Sequence, residues 1–173
     1  MKIIKLLFGF FSIIGLMTGC VSDEVDSPIY SGKNLNIGVI GKVPEVREQN
    51  VSFTNIEFED LKTDLDKTSS DLDAIFIMKD HLSQAAESQY ANIYKSLSIP
   101  TFFFETNKGY LPFVNKDMTY ENSPKIRELT YATGYLQKEE NAKYWAYGLY
   151  NDVVNETNVE DVYTRVFTTI DSL

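Results

Sequence analysis

From about residue 34 onward, short unbroken apolar runs alternate with stretches whose apolar residues fall three or four apart. Leu35-Asn36-Ile37-Gly38-Val39-Ile40, ended by Gly41, reads as a buried strand. Val51, Phe53, Ile56 and Phe58 suggest a second strand whose period slips near Asn55. Ala74-Ile75-Phe76-Ile77-Met78 is continuous, β-prone and bounded by polar residues, the pattern of a central strand. Thr101-Phe102-Phe103-Phe104 follows Pro100, a residue tolerated at the first position of a strand. Lys143 to Tyr150 alternates with aromatic residues on both faces and reads as a fifth strand.

Helical spacing fills the intervals. Leu82, Ala86, Tyr90, Ile93 and Leu97 share one helix face. Ser123-Pro124 has the form of a hydroxyl cap followed by proline in the first turn, with Ile126, Leu129, Thr133 and Leu136 as the apolar face behind it. Thr157-Asn158-Val159-Glu160 reads as a capping box. It opens a helix with Val159, Val162, Tyr163, Val166, Phe167 and Ile170 on one stripe. Strands alternating with helices favour a parallel sheet wound on both faces. The expected fold is therefore an α/β three-layer sandwich: a mostly parallel, doubly wound five-stranded sheet of flavodoxin-like or Rossmann-like type, spanning residues 34–173 as a single domain.

The first 33 residues differ from the rest. Met1-Lys2-Ile3-Ile4-Lys5 is basic, Leu6 to Met17 carries no charge, and Thr18-Gly19 precedes the sole cysteine, Cys20. An apolar stretch of about a dozen residues is too short for a bilayer-spanning helix, which needs ~20, and has the length of a signal-peptide core. With Met17-Thr18-Gly19-Cys20 standing as a lipobox, the segment resembles a bacterial lipoprotein signal peptide; methionine replaces the usual leucine at 17. The resemblance implies that residues 1–19 are removed, that the Cys20 thiol is lipidated, and that the new amino terminus is acylated. The protein would then sit on the extracytoplasmic face of the cell membrane, because several chains on one residue make a durable anchor. Residues 21–33 are polar and acidic, with Ser22, Ser27, Pro28, Ser31 and Gly32, and read as a flexible tether. Such a tether would reach ~45 Å at full extension and average ~20 Å when relaxed.

Charge narrows the partners. Lys and Arg total 16 against 25 Asp and Glu, a net of −9, and loss of Lys2 and Lys5 with the leader deepens it further. A field of that sign repels phosphate backbones and argues against nucleic-acid binding. One cysteine and one histidine exclude a disulfide framework and a Cys/His zinc cluster. No G-x-G-x-x-G, G-x-x-x-x-G-K-[ST] or G-x-S-x-G motif is present, so no cofactor or catalytic signature is found. An envelope hydrolase would need a triad or metal cluster that one His and one Cys do not assemble. Asp80 and Thr106 stand where response-regulator receivers, which the strand order resembles, keep their phosphoacceptor and hydroxyl residue. The acidic pair those domains need after the first strand is replaced by Gly41-Lys42, which leaves a hard cation little to bind.

In a parallel sheet, ligands bind beyond the carboxyl ends of the strands. Those ends carry Gly41-Lys42, Asp80-His81, Glu105-Thr106-Asn107 and Asn151-Asp152. Lys42, Asp80, His81 and Glu105 are the candidate ligand-binding residues, and their mixed charges suit a polar or zwitterionic solute. A polar residue just after a strand also serves as a helix cap or is simply solvated, so each retains a structural reading. Tyr144, Trp145, Tyr147 and Tyr150 fit a groove wall or, with their alternation, sheet core and surface. Residues 71–103, from Asp71-Leu72-Asp73-Ala74-Ile75-Phe76-Ile77 to Ile99-Pro100-Thr101-Phe102-Phe103, are similar to one lobe of the solute-binding lipoproteins of ABC importers. That resemblance implies a solute receptor or accessory subunit, although those proteins clamp solute between two lobes in a chain roughly twice as long. The expected function is binding, of a small polar solute or an envelope protein, rather than catalysis.

Overall fold

Six strands form one mixed sheet in the order β2-β1-β3-β4-β5-β6. The computed structural model describes residues 23–63, 65–126 and 130–173. The leader, Cys20 and Leu129 lie outside the described residues. The elements are β1 (Leu35–Ile40), β2 (Val51–Asn55), α1 (Asp60–Thr63), α2 (Leu65–Asp71), β3 (Ala74–Ile77), α3 (Leu82–Ala85), α4 (Ser88–Ser96), β4 (Thr101–Phe104), α5 (Leu111–Val114), β5 (Thr130–Lys138), β6 (Asn141–Gly148) and α6 (Glu156–Asp171).

Strands β1, β3 and β4 read as near-continuous apolar runs because both faces are covered. On one face Ile37, Val39, Phe76, Phe102 and Phe104 pack against Val162, Tyr163, Val166 and Phe167 of α6. Phe104 stacks on Tyr163 at 4.8 Å, and Phe76 on Phe167 at 6.2 Å. On the other face Ile40, Ile75, Ile77 and Phe103 meet Leu61, Leu82, Tyr90, Tyr94 and Phe113 from the remaining helices. Phe103 stacks on Phe113 at 3.6 Å and meets Tyr94 edge-on at 5.4 Å.

The expectation of a five-stranded, flavodoxin-like or Rossmann-like sheet is corrected to a six-stranded mixed one. β2, β1, β3 and β4 are parallel neighbours, whereas β4–β5 and β5–β6 are antiparallel. The helix expected after Ser123-Pro124 is instead strand β5 from Thr130 onward. Its Thr130, Tyr131, Thr133 and Tyr135 are β-branched or aromatic, and residue types of this kind settle between competing periods. Glu139 and Glu140 alone join β5 to β6, and a connection that short joins only antiparallel strands. The expected fifth strand is thus β6, the outer arm of a hairpin. Gly134 lets Phe102 cross β5, since a Cβ there would lie 2.5 Å from the Phe102 ring. Ser123 caps no helix; its hydroxyl donates to the Thr119 carbonyl at 2.8 Å.

Three smaller expectations shift. β2 ends at Asn55, leaving Phe58 to pack on Tyr90 at 4.7 Å. The helix read across 82–97 is two, α3 and α4, parted at Ala86 and Glu87. α6 is capped by Asn155, whose side chain accepts from the Asn158 backbone N–H at 2.8 Å, rather than by Thr157.

Residues 23–33, read from composition as a tether, pack along α6 as a strap. Tyr30 is 7% exposed, sits 6.0 Å from the Phe167 ring, and donates its hydroxyl to the Lys33 carbonyl at 2.9 Å. Arg47 donates to Ser27 Oγ at 2.9 Å and to Thr164 Oγ1 at 3.1 Å, tying strap to helix. The buried Glu48 carboxylate accepts from Thr164 Oγ1 at 2.5 Å and from the Tyr30 backbone N–H at 3.4 Å. Of the polar residues that suggested solvation, Ser27 is held by Arg47, while Asp23, Glu24, Asp26 and Ser31 remain exposed on the outer side of the strap.

Candidate ligand cleft

Parallel strands deliver their carboxyl ends to one edge, and here β5 begins and β6 ends at that same edge. The structure brings Lys42, Asp80, His81 and Glu105 to a single cleft of about 410 Å³, walled on the far side by Val159 and Tyr163 of α6. Gly41 makes the approach close. Its φ is +115°, and a Cβ there would lie 2.9 Å from Met78 Cβ and 3.0 Å from His81 Cδ2. Only glycine combines that backbone with that proximity. His81 and Asp80 end a 3₁₀ turn, Lys79–His81, that begins one residue after β3. His81 is half-buried with its ring 6.2 Å from Phe58, while Asp80, Lys42 and Glu105 are exposed.

A second hollow of about 710 Å³ lies alongside. Lys79 and Glu105 line both, and their ion pair at 3.5 Å forms the partition. One wall comes from the segment 105–126, tied together by hydrogen bonds. Lys108, 7% exposed, donates to the Ser123 carbonyl at 2.5 Å and the Glu121 carbonyl at 3.3 Å, and its ammonium lies 5.2 Å from the Tyr120 ring centre. Thr106 Oγ1 accepts from the Lys108 backbone N–H at 3.0 Å and from Tyr120 at 3.2 Å. The opposite wall is Tyr131 of β5 with Leu149, Asp152 and Val154 after β6. Thr106, Asn107 and Asp152 of the expected rim therefore line the larger hollow; Asn151 instead contacts Asp23 at 3.5 Å.

Backbone strain concentrates at this edge. Glu105, Asn151 and Asp152 hold φ of 54°, 48° and 58°, values that side-chain-bearing residues rarely adopt and that cluster at functional sites. Burial, reinforced by Glu105, pushes the Tyr131 phenol up to about 12. Burial likewise pushes Tyr163 up, with Tyr131 and Glu105 adding to it. Both stay protonated at neutral pH and can donate hydrogen bonds. Glu121 is held below its ordinary value, chiefly by the Ser83 hydroxyl donating to it at 2.7 Å. The two adjoining hollows thus each offer ammonium groups, carboxylates and a neutral phenol.

Lys79, Lys108, Tyr131 and Tyr163 were not among the candidate site residues of the sequence, Tyr131 reading there as helix packing. Lys79 stands directly before Asp80, so its place at the strand end was a usable signal; Tyr163 was legible only as part of the packing stripe. Of the aromatic group expected at 144–150, Tyr147 is core, Trp145 packs on Phe102 at 5.9 Å, Tyr144 is exposed on β6, and Tyr150 is exposed just after it. Among the described residues no group of three or more His, Cys, Asp or Glu side chains is placed to hold a metal ion. Among them, too, no helix is long and apolar enough to cross a membrane. No protein-family model, curated protein or solved structure matches this chain.

Proposed function

We propose that this chain is a lipid-anchored, extracytoplasmic binding protein whose ligand is a small polar or zwitterionic molecule held at the carboxyl edge of the sheet. The observation that carries the reading is the convergence of Lys42, Asp80, His81 and Glu105 on one cleft. Side chains of both signs, on three separate strand ends, offer a zwitterion a partner for each charge. Anchoring rests on the lipobox-like Met17-Thr18-Gly19-Cys20. Binding is favoured over catalysis because the sequence carries no nucleotide-binding, hydrolase-elbow or metal-cluster motif around the one histidine. The test is calorimetric titration with a panel of amino acids, betaines and short peptides. A ligand that binds the parent should lose at least tenfold in affinity when Lys42 or Glu105 is replaced by alanine, with melting temperature nearly unchanged. Affinity indifferent to all four substitutions would place binding elsewhere.

A second reading is a single-lobe solute receptor or accessory subunit of an importer. The segment that resembles importer lipoproteins contains β3, α3, α4 and most of β4 and so supplies the Asp80-His81 strand end of the cleft, with Glu105 two residues beyond it. Co-purification with a permease from detergent-solubilised membranes would favour it.

A further inference from the structure

The strap determines which way the cleft points. β1 starts at the edge of the sheet opposite the cleft, so a chain anchored through a loose segment before Leu35 would carry the cleft away from the membrane. The strap instead runs the length of α6, from Asn158 near its start to Asp171 at its end, about 20 Å at 1.5 Å per residue. Gly32 lies against Asp171, and Tyr30 against Phe167. At the other end the Asp23 carbonyl accepts from Asn158 Nδ2 at 2.8 Å and from Asn155 Nδ2 at 3.1 Å. Val25 donates to Asn158 Oδ1 at 3.0 Å. The described chain therefore begins at the cleft edge, beside the segment 149–155 that supplies Asp152 and Val154 to the larger hollow.

That segment carries two of the few large apolar side chains left in solvent: Val154 is 73% exposed and Tyr150 is 40% exposed. Their loop holds its shape through Asn158 Nδ2, which also donates to the Tyr150 carbonyl at 3.2 Å and the Val153 carbonyl at 2.9 Å. Cys20 precedes Asp23 by three residues, at most ~11 Å of extended chain. We infer that the loop 149–155 rests on the phospholipid bilayer, with Tyr150 and Val154 at its surface, and that the cleft opens toward the membrane. The inference rests on the lipoprotein reading, because the anchor supplies the affinity. Asp152 within the loop, with Asp23 bonded to Asn151 and Glu156 directly after it, would repel an anionic bilayer, so without the lipid the loop does not hold the protein there. Once anchored, a valine and a tyrosine set the orientation, the tyrosine ring being suited to the headgroup level.

The test uses the full chain processed in a bacterium and recovered in membranes. Val154→Cys and Glu139→Cys are labelled with an environment-sensitive fluorophore, and quenching by lipid-borne nitroxides is compared. Glu139 lies at the far turn of the β5–β6 hairpin, ~24 Å away along eight residues of β6. Mass spectrometry of the amino-terminal peptide reports whether Cys20 carries lipid. With lipid present, the probe at 154 should be quenched at least threefold more than the probe at 139. Adding Asn158→Leu, which frees the strap and lengthens the tether, should erase most of that difference. Equal or reversed quenching on lipidated protein overturns the orientation and leaves the anchor standing. Absence of lipid on Cys20 overturns the anchor and the orientation with it.

Discussion

Replacing Asn158 with leucine tests whether the strap belongs to the fold. Asn158 is fully buried, and its side chain joins three segments: it donates to the carbonyls of Asp23, Tyr150 and Val153 and accepts from the Val25 N–H. An amide NH₂ has two protons, so the three carbonyls share them, and with the Val25 bond about three full hydrogen bonds are at stake. Each contributes about 1 kcal/mol net, and leaving a buried partner unmet costs more. The carbonyls of 150 and 153 lie near solvent and regain water, which keeps the total at about 2–3 kcal/mol. At roughly 2–4 °C per kcal/mol for a domain of this size, the melting temperature should fall by about 4–12 °C. Calorimetry measures the shift, and hydrogen exchange of the Val25 amide reports the strap directly. A fall smaller than about 2 °C, or a Val25 amide that stays protected, would refute the argument that one side chain fastens the strap.

Burial first, then Asp171 and Asp73, pushes the Tyr30 phenol from 10.0 to about 12, so the folded state favours the protonated form. Its contribution is fully present below pH 10 and is lost as pH rises toward 12; Tyr30→Phe should flatten that decline in denaturant titrations across this window, and an unchanged slope would contradict the assignment. Gly41→Ala should destabilise by about 1–3 kcal/mol, from strain at positive φ and contact with Met78, and should move the ring resonances of His81, the only histidine and so an unambiguous NMR reporter. Lys108→Met should cost about 2–3 kcal/mol by leaving the Ser123 and Glu121 carbonyls without their ammonium donor; full stability by urea denaturation would show that this wall does not depend on it.

Some of this molecule was legible in its sequence. β1, β3, β4 and α6 were read from local period alone, because a strand buried on both faces and a helix with one apolar stripe each leave a signature within a few residues. The meeting of Lys42, Asp80, His81 and Glu105 was legible for a related reason: parallel strands must end at a common edge, whatever order they take in the sheet. What lay beyond reach depended on partners distant along the chain. Residues 130–136 carry a helical and a strand period at once, and only pairing with β4 and β6 selects the strand. Residues 23–33 look solvated because their apolar content is low. Their place is decided by Asn158, 133 residues beyond Val25, and by Phe167 and Thr164 on the same helix. A hydrogen bond across that separation leaves no local trace in either segment, so the course of residues 23–33 along α6 was settled only when the tertiary structure closed.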